Sequence, residues 1–175
     1  LGRALSEYDN PPIKMLFVYN CNPASTMPDQ NRVLRGLKRE DLFTVVFDQV
    51  MTDTARYADV VLPATTFLEQ YDVAKSYGLG NVQLVQPVIN AVGEARPNVE
   101  VFSELAARLG IEVNPRLQSD PEALMRIAGT FPDDLREDLM SNGIAKGAVS
   151  APVQFVDVFP RTSDGKVDLF PDSLE

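Results

Sequence analysis

Three short apolar runs in the first third of the chain constrain its fold most strongly. The runs are Lys14–Tyr19, Leu42–Phe47 and Asp59–Leu62, and each is closed by turn residues or proline. Helical patterns lie between them, so the order is strand, helix, strand, helix, strand. That order at this spacing indicates a parallel sheet with right-handed crossovers. We therefore expect an α/β fold in which helices flank a parallel sheet.

Local signals predict where the helices begin and end. A helix is expected over Pro28–Arg39, with Pro28 and Asp29 suited to its first turn. Thr52 is expected to cap a short helix that extends to Ala58. The pattern from Pro97 to Leu109 predicts an amphipathic helix whose apolar face includes Leu105 and Leu109, followed by Gly110 at the C′ position. Two further helices are expected within residues 119–142, the first capped by Ser119 and the second over Pro132–Ser141.

The remaining segments suggest a division of the chain into three parts. Residues 1–12 are polar and end in Asn-Pro-Pro, which indicates a linker or an extended lead-in. Residues 13–145 form the α/β domain, interrupted by an irregular excursion over 65–97 with one or two short strands near 82–85. Residues 146–175 are expected to be a linker and a hairpin, with strands at 153–159 and 166–170 and its turn at Asp164-Gly165.

Composition excludes several classes of function. The formal net charge of -9 disfavours a nucleic-acid backbone or an anionic membrane surface as partner. Neither an internal disulfide nor a four-thiolate iron–sulfur site can form from the single cysteine, Cys21, and the chain has no histidine. No apolar run approaches the length of about 20 residues that spans a bilayer. The chain begins at Leu1, which leads us to expect that it is a fragment and leaves localisation open.

Ligands of open parallel sheets bind beyond the carboxyl ends of the strands. Three segments are expected there: residues 20–25, 48–54 and 63–66. Free N–H groups in the first could meet a phosphate, although an Asn-Pro turn between strand and helix needs no ligand. The Asp48 carboxylate could accept the two donors of a guanine edge, or could simply cap its own turn.

The other polar residues give weaker signals. Thr52 and Thr54 could bind phosphate, but capping explains them equally well, and Asp59 more often caps or pairs, for instance with Arg56. Glu69 and Glu94 are carboxylates with no partner in the sequence pattern. General acid–base catalysis therefore has no support from spacing, and neither a nicotinamide nor an ATP motif is present.

A longer match carries a specific resemblance. Three segments together resemble the third domain of the dimethyl-sulfoxide-reductase family of molybdopterin oxidoreductases. They are the Asn-Pro-Ala turn at 22–24, the strand ending at Asp48 and the block Thr52-Asp53-Thr54-Ala55-Arg56-Tyr57-Ala58-Asp59-Val60-Val61-Leu62-Pro63. Asp53 stands where that family usually has Glu. The similarity continues through Gly93–Asn98 and the helix ending at Gly110, so it covers roughly residues 13–112.

The resemblance implies a Rossmann-like domain that holds the guanosine diphosphate part of a molybdopterin guanine dinucleotide. Carried over to this sequence, Asn22 and Pro23 would line the diphosphate loop, and Asp48 would meet the guanine. The residues implied in cofactor binding are Asn22, Pro23, Phe47, Asp48, Thr52, Thr54 and Asp59.

The same resemblance implies that other parts of the enzyme lie outside this chain. The residue that ligates molybdenum or tungsten, and any 4Fe-4S cluster, would lie upstream, and a C-terminal barrel would follow the hairpin. Other domains of the same chain, with an electron-transfer subunit as a further candidate, are the implied partners. No residue here is expected to be catalytic, and the substrate stays open.

Two alternatives stay open beside this reading. One is a relative that kept the fold but lost the cofactor, as in the large iron–sulfur subunit of respiratory NADH dehydrogenase. The other is an unrelated nucleotide-binding regulator, which the long Ala-Asp-Val-Val-Leu-Pro match disfavours.

Overall fold

The computed structural model describes residues 1–75, 81–112 and 119–146. These residues form two compact units. The first contains Leu1–Tyr71 and Gln86–Ala123, and the second contains Asp72–Val85 and the chain from Leu124 onward. The segment expected to form one domain, residues 13–145, contributes to both units, and the expected hairpin over residues 153–170 lies outside the described residues.

The first unit contains the expected parallel sheet. Its strands are β1 (Met15–Tyr19), β2 (Phe43–Asp48) and β3 (Val60–Pro63), in the order β1-β2-β3 with β2 in the centre. Both pairings are parallel, and the register places Tyr19 beside Phe47 and Asp48 beside Pro63. All three strands lie within one residue of the predicted positions. Only the central strand β2 is buried along most of its length, since β1 and β3 form the edges of the sheet and are partly exposed, so the expected burial of β1 is wrong.

Helices pack on both faces of this sheet. The helices of the first unit are α1 (Gly2–Glu7), α2 (Pro23–Thr26), α3 (Gln30–Leu37) and α4 (Asn98–Arg108). On one face, Leu16 packs against a core formed by residues of α1, α2 and α3, among them Leu5, Ala24 and Val33. On the other face, Phe102 of α4 contacts the rings of three strand residues, namely Phe17, Tyr19 and Phe47. This is the Rossmann-like α/β arrangement.

Two helix predictions need correction. Residues 2–7 are helical, not an extended lead-in, because Leu5 is buried in the core that also contains Val33 and Leu37. The helix expected from Pro28 begins at Gln30, since Asp29 adopts a left-handed conformation and accepts a hydrogen bond from the Arg32 N–H. A side-chain cap at Asp29 fixes the first turn and leaves Pro28 outside the helix.

The amphipathic helix α4 is also packed differently from the prediction. Its bounds agree closely, and Gly110 has the positive φ of 71° expected at a C′ position. However, Leu105 and Leu109 of the expected apolar face are 39% and 67% exposed, and the packing against the sheet is made by Phe102. The ring of Phe102 contacts the aromatic side chains of the strands, and Leu105 and Leu109 therefore lie outside the core of this unit.

The second unit is built on an antiparallel sheet. Strands β4 (Asp72–Lys75), β5 (Asn81–Val85) and β6 (Ile144–Lys146) lie in that order. The excursion over residues 65–97 thus contains two short strands, as expected. Helix α6 (Asp133–Asn142) contributes Leu139 to a core with Val82 and Ala145.

Helix α5 (Pro121–Ala128) begins in the first unit and ends in the second, where Ala128 joins the same core as Leu139. Its cap is Asp120, whose carboxylate accepts the Ala123 N–H at 2.5 Å. The expected cap, Ser119, instead donates to the Tyr71 carbonyl at 3.1 Å. The residue nearer to the first turn satisfies its N–H groups.

Glu69 joins two loops of the first unit. Its carboxylate accepts the N–H and the hydroxyl of Thr66 and the N–H of Val92, each at 2.7 Å. These donors favour the charged carboxylate, so the Thr66 N–H above all, with the Thr66 hydroxyl and the Val92 N–H, lowers the pKa of Glu69. Glu69 thus has a structural role, because it holds two loops together. The sequence pattern did not predict these contacts.

We predict that Gly36→Ala destabilises the first unit. A Cβ at residue 36 would lie 2.6 Å from the Leu5 Cβ, so α1 and α3 would have to separate. Overpacking of this kind typically costs about 1–3 kcal/mol of the free energy of unfolding, which urea denaturation measures. Gly129→Ala is the matched control, because its nearest neighbours would lie at an ordinary 3.4 Å. Equal stability of the two variants would contradict the close packing of α1 on α3.

We predict that Glu69→Gln lowers stability at neutral pH and that the loss disappears in acid. A carboxyl whose pKa is lower in the folded state stabilises above its unfolded pKa of about 4.3, and this contribution is lost as the pH falls through the folded pKa. Urea midpoints of wild type and variant should therefore differ at pH 7 and converge as the pH falls below the unfolded pKa and through the lowered pKa of the folded state. The exposed Glu40→Gln serves as control; a difference that persists in acid would show that Glu69 does not act through its charge.

Candidate functional site

The carboxyl ends of the three parallel strands meet at one edge of the sheet. The chain leaves β1 at Asn20, β2 after Asp48 and β3 after Pro63. Because the strands are parallel and in register, these exits are neighbours: Tyr19 pairs with Phe47, and Asp48 with Pro63. The structure therefore brings together the three segments in which the sequence predicts a ligand site.

The turn after β1 is tightly bonded to its surroundings. Asn20 has a positive φ of 50° and donates its N–H to the Phe47 carbonyl. The Asn22 carbonyl accepts the N–H groups of Ser25 and Thr26, both at 2.9 Å, which starts α2 at Pro23. Within the described residues, the N–H groups of Cys21 and Asn22 have no acceptor. Those two donors are available to a ligand.

Side chains connect this turn to the loop that follows β2. The Asn22 side-chain oxygen accepts the N–H of Thr54 at 3.1 Å and its hydroxyl at 2.7 Å. The Thr54 hydroxyl in turn accepts the Ala24 N–H at 3.0 Å. A second connection runs from the Asn22 amide to the Ser25 hydroxyl and on to the Asp53 carboxylate, at 3.1 and 2.7 Å.

Asp48 stands at the end of the central strand, and one of its carboxylate oxygens has no partner among the described residues. The other oxygen accepts the N–H of Gln49 at 2.7 Å, and the residue is half-buried. Gln49 is held in turn, because its side chain donates to the Thr65 carbonyl at 3.1 Å. A carboxylate in this setting can accept hydrogen bonds from a ligand.

Thr52 and Phe47 have structural roles in the same region. The Thr52 hydroxyl accepts the Ala55 N–H at 3.1 Å and so supports the start of the 3₁₀ turn Ala55–Tyr57, but the N-cap position is Thr54 and not the expected Thr52. Phe47 is fully buried and stacks on Tyr19, with the ring centroids 5.8 Å apart. Its side chain supports the floor of the site and cannot reach a ligand.

Asp59 lies at the opposite edge of the sheet. It precedes β3, accepts the Thr44 N–H at 2.7 Å and returns its own N–H to the Thr44 carbonyl at 2.8 Å. Thr44 is four residues before Asp48 on β2, a separation of about 13 Å along a strand. The structure thus separates Asp59 from the other predicted site residues, because the chain crosses back to the amino-terminal edge before β3 begins.

Sequence reasoning missed Ser25 and Gln49 and noted Asp53 only as a departure from a family pattern. Their contacts join positions 16 to 28 residues apart. No local spacing rule encodes such pairs, so only the parallel register could have suggested them.

A separate groove of about 760 Å³ lies beside α4 and contains none of the predicted site residues. Its polar rim is an ion-paired cluster in which Glu104 contacts Arg96 at 2.9 Å and Arg108 at 2.5 Å. Arg108 chiefly, with Arg96, lowers the pKa of Glu104. These charges are already paired with one another, so the groove offers less than the strand edge for an anionic ligand.

Neither a metal-binding cluster nor a membrane-spanning helix is found in the described part of the chain. Within residues 1–75, 81–112 and 119–146, no group of three His, Cys, Asp or Glu side chains could hold a metal ion. In the same part of the chain, no helix combines the length and hydrophobicity that crossing a membrane requires.

Comparison with known proteins identifies relatives of this arrangement. A family model described as molybdopterin oxidoreductase matches residues 3–108. The probable oxidoreductase YoaE of Bacillus subtilis is 41% identical over 179 residues, which cover 100% of this chain and 26% of that protein. The dimethyl sulfoxide/trimethylamine N-oxide reductase of Cereibacter sphaeroides is 35% identical over 102 residues, covering 57% of this chain and 12% of the relative.

A solved structure supports the same relationship. Acetylene hydratase from Pelobacter acetylenicus superimposes with a TM-score of 0.66 at 27% sequence identity. The match covers 83% of this chain and 20% of the hydratase chain. The chain therefore spans about a quarter or less of the length of these relatives.

Proposed function

We propose, from the premise that this chain belongs to the molybdopterin oxidoreductase family, that it holds the guanosine diphosphate part of a molybdopterin guanine dinucleotide. In this proposal the chain is one domain of a longer molybdenum or tungsten oxidoreductase. The bound cofactor would supply the metal-centred redox chemistry, and this domain would bind and orient one end of it. The metal ligand, the substrate site and any 4Fe-4S cluster are assigned to other parts of that protein.

The observation that carries the proposal is the donor and acceptor set at the carboxyl edge of the sheet. Asp48 offers a carboxylate oxygen with no partner among the described residues, and the turn after β1 offers the free N–H groups of Cys21 and Asn22. A guanine edge presents two neighbouring donors, which suit a carboxylate, and a diphosphate presents acceptors, which suit free N–H groups. The two halves of the set thus match the two ends of guanosine diphosphate.

The assignment favours some of the sequence-predicted residues over others. Asp48 is proposed to bind the guanine, while Asn22 and Pro23 shape the diphosphate turn and Thr52 supports the loop beside it. Buried Phe47 supports the site from below, and Asp59 at the far edge has no part in it.

We predict that Asp48→Ala weakens guanine nucleotide binding. Loss of hydrogen bonds to a charged group should reduce the affinity for GDP by about tenfold or more, and the preference for GDP over ADP should disappear, because the carboxylate reads the base. Calorimetric titration of both nucleotides into the cofactor-free full-length protein measures these two quantities.

Asp59→Asn is the matched control. It keeps an oxygen for the Thr44 N–H and removes a charge from the opposite edge of the sheet, so its affinity for GDP should equal that of wild type. If Asp48→Ala leaves both the affinity and the base preference unchanged, the guanine does not bind at Asp48 and the proposed site is wrong.

A further inference from the structure

Four hydrogen bonds that involve side chains join the turn after β1 to the loop after β2. We infer that Asn22 and Thr54 form an interloop lock, which fixes the diphosphate turn relative to Asp48 before any cofactor binds. The side-chain oxygens of both residues thus position the turn and are not the cofactor ligands that the family resemblance implies. The role of the lock in cofactor binding rests on the proposed function, whereas its geometry rests on the hydrogen bonds of the two residues.

The Thr54 hydroxyl has no proton left to donate in this arrangement. Its side chain is fully buried. Its hydroxyl proton is donated to the Asn22 side-chain oxygen at 2.7 Å, and its oxygen accepts the Ala24 N–H at 3.0 Å. A hydroxyl carries only one proton, so a direct bond from Thr54 to a phosphate would require the lock to break.

Asn22 is engaged to a similar degree. Its side-chain oxygen accepts both the N–H and the hydroxyl of Thr54, which uses both lone pairs. Its amide nitrogen donates one of its two protons to the Ser25 hydroxyl at 3.1 Å. The side chain therefore faces the neighbouring loop, whereas the backbone N–H of the same residue remains open to a ligand.

Ser25 and Asp53 extend the lock toward its exposed side. Ser25 accepts from the Asn22 amide and donates to the Asp53 carboxylate at 2.7 Å, so the proton order along this arm is Asn22 to Ser25 to Asp53. Hydrogen bonds in such a chain polarise and strengthen one another. Because Ser25 and Asp53 are exposed, this arm is expected to contribute less than the buried Asn22–Thr54 pair.

The lock has a definite consequence for the proposed site. It holds the Asn22 side chain from the opposite loop, which keeps the free N–H groups of Cys21 and Asn22 at a fixed distance from the loop that begins at Asp48. A site whose loops are already ordered loses less conformational entropy when a ligand binds. Disrupting the lock should therefore weaken binding without changing which base is preferred.

The test compares Thr54→Val with Thr54→Ser in the cofactor-free full-length protein. Valine removes the hydroxyl and leaves the Ala24 N–H without its acceptor, whereas serine keeps both bonds. In Thr54→Val, hydrogen exchange at the Ala24 amide should be about tenfold faster or more, because this N–H loses its acceptor. GDP affinity should fall by a similar factor, with the GDP-to-ADP ratio preserved. Thr54→Ser should restore slow exchange and GDP affinity.

Different outcomes separate the lock from the proposed function. Weaker GDP binding in Thr54→Val with unchanged exchange at Ala24 would make Thr54 a direct ligand and overturn the lock. If wild type binds no GDP, the proposed function fails, but the exchange rates still decide whether the lock exists. If Thr54→Val does not fold, Ser25→Ala and Asp53→Ala take its place, because each removes one partner of the bond between Ser25 and Asp53. Each variant should accelerate hydrogen exchange at the Thr54 amide, by a smaller factor than the one expected for the Ala24 amide in Thr54→Val. Wild-type exchange rates in both variants would overturn the arm through Ser25 and Asp53 and, with it, the proposed lock.

Discussion

The parallel pairing of β1, β2 and β3 is the constraint on which the rest of the structure depends. In-register backbone hydrogen bonds bring the carboxyl ends of the three strands to one edge, which places Asp48 beside the turn that contains Asn22. The helices α1 and α3 on one face and Phe102 of α4 on the other cover the sheet and bury its central strand β2. The candidate site is thus a direct consequence of strand direction, and it needs no specialised motif.

Polar side chains at this edge divide into two groups with different tasks. Asn22, Thr54 and Thr52 are occupied by bonds within the protein and define the shape of the loops. Asp48 and the backbone of the β1 turn retain unused hydrogen-bonding capacity and can face a ligand. This division explains how a chain with a net charge of -9 could hold a diphosphate, since the proposed contacts are local N–H donors and not lysine or arginine side chains.

Sequence reasoning predicted the parallel sheet and the position of Asp48 because local patterns encode both. Apolar runs such as Leu42–Phe47 identify buried strands, and the rule for ligands in open sheets identifies their ends. Sequence reasoning failed where tertiary contacts determine the structure. Helix α1 forms because Leu5 fits against Gly36, and Asp59 lies away from the site because the chain crosses the sheet before β3. The bond between Ser25 and Asp53 could not be predicted either, since it joins loops that meet only in the folded sheet.

The central claim is that this chain holds one end of a molybdopterin guanine dinucleotide within a longer enzyme. Its most direct test is to purify the full-length protein and to measure molybdenum, tungsten, iron and the GMP released by acid hydrolysis. Our account predicts molybdenum or tungsten together with GMP in stoichiometric amount. Iron without either metal and without GMP would contradict the account, and would identify a cofactor-free relative in which Asp48 is only a remnant of the site.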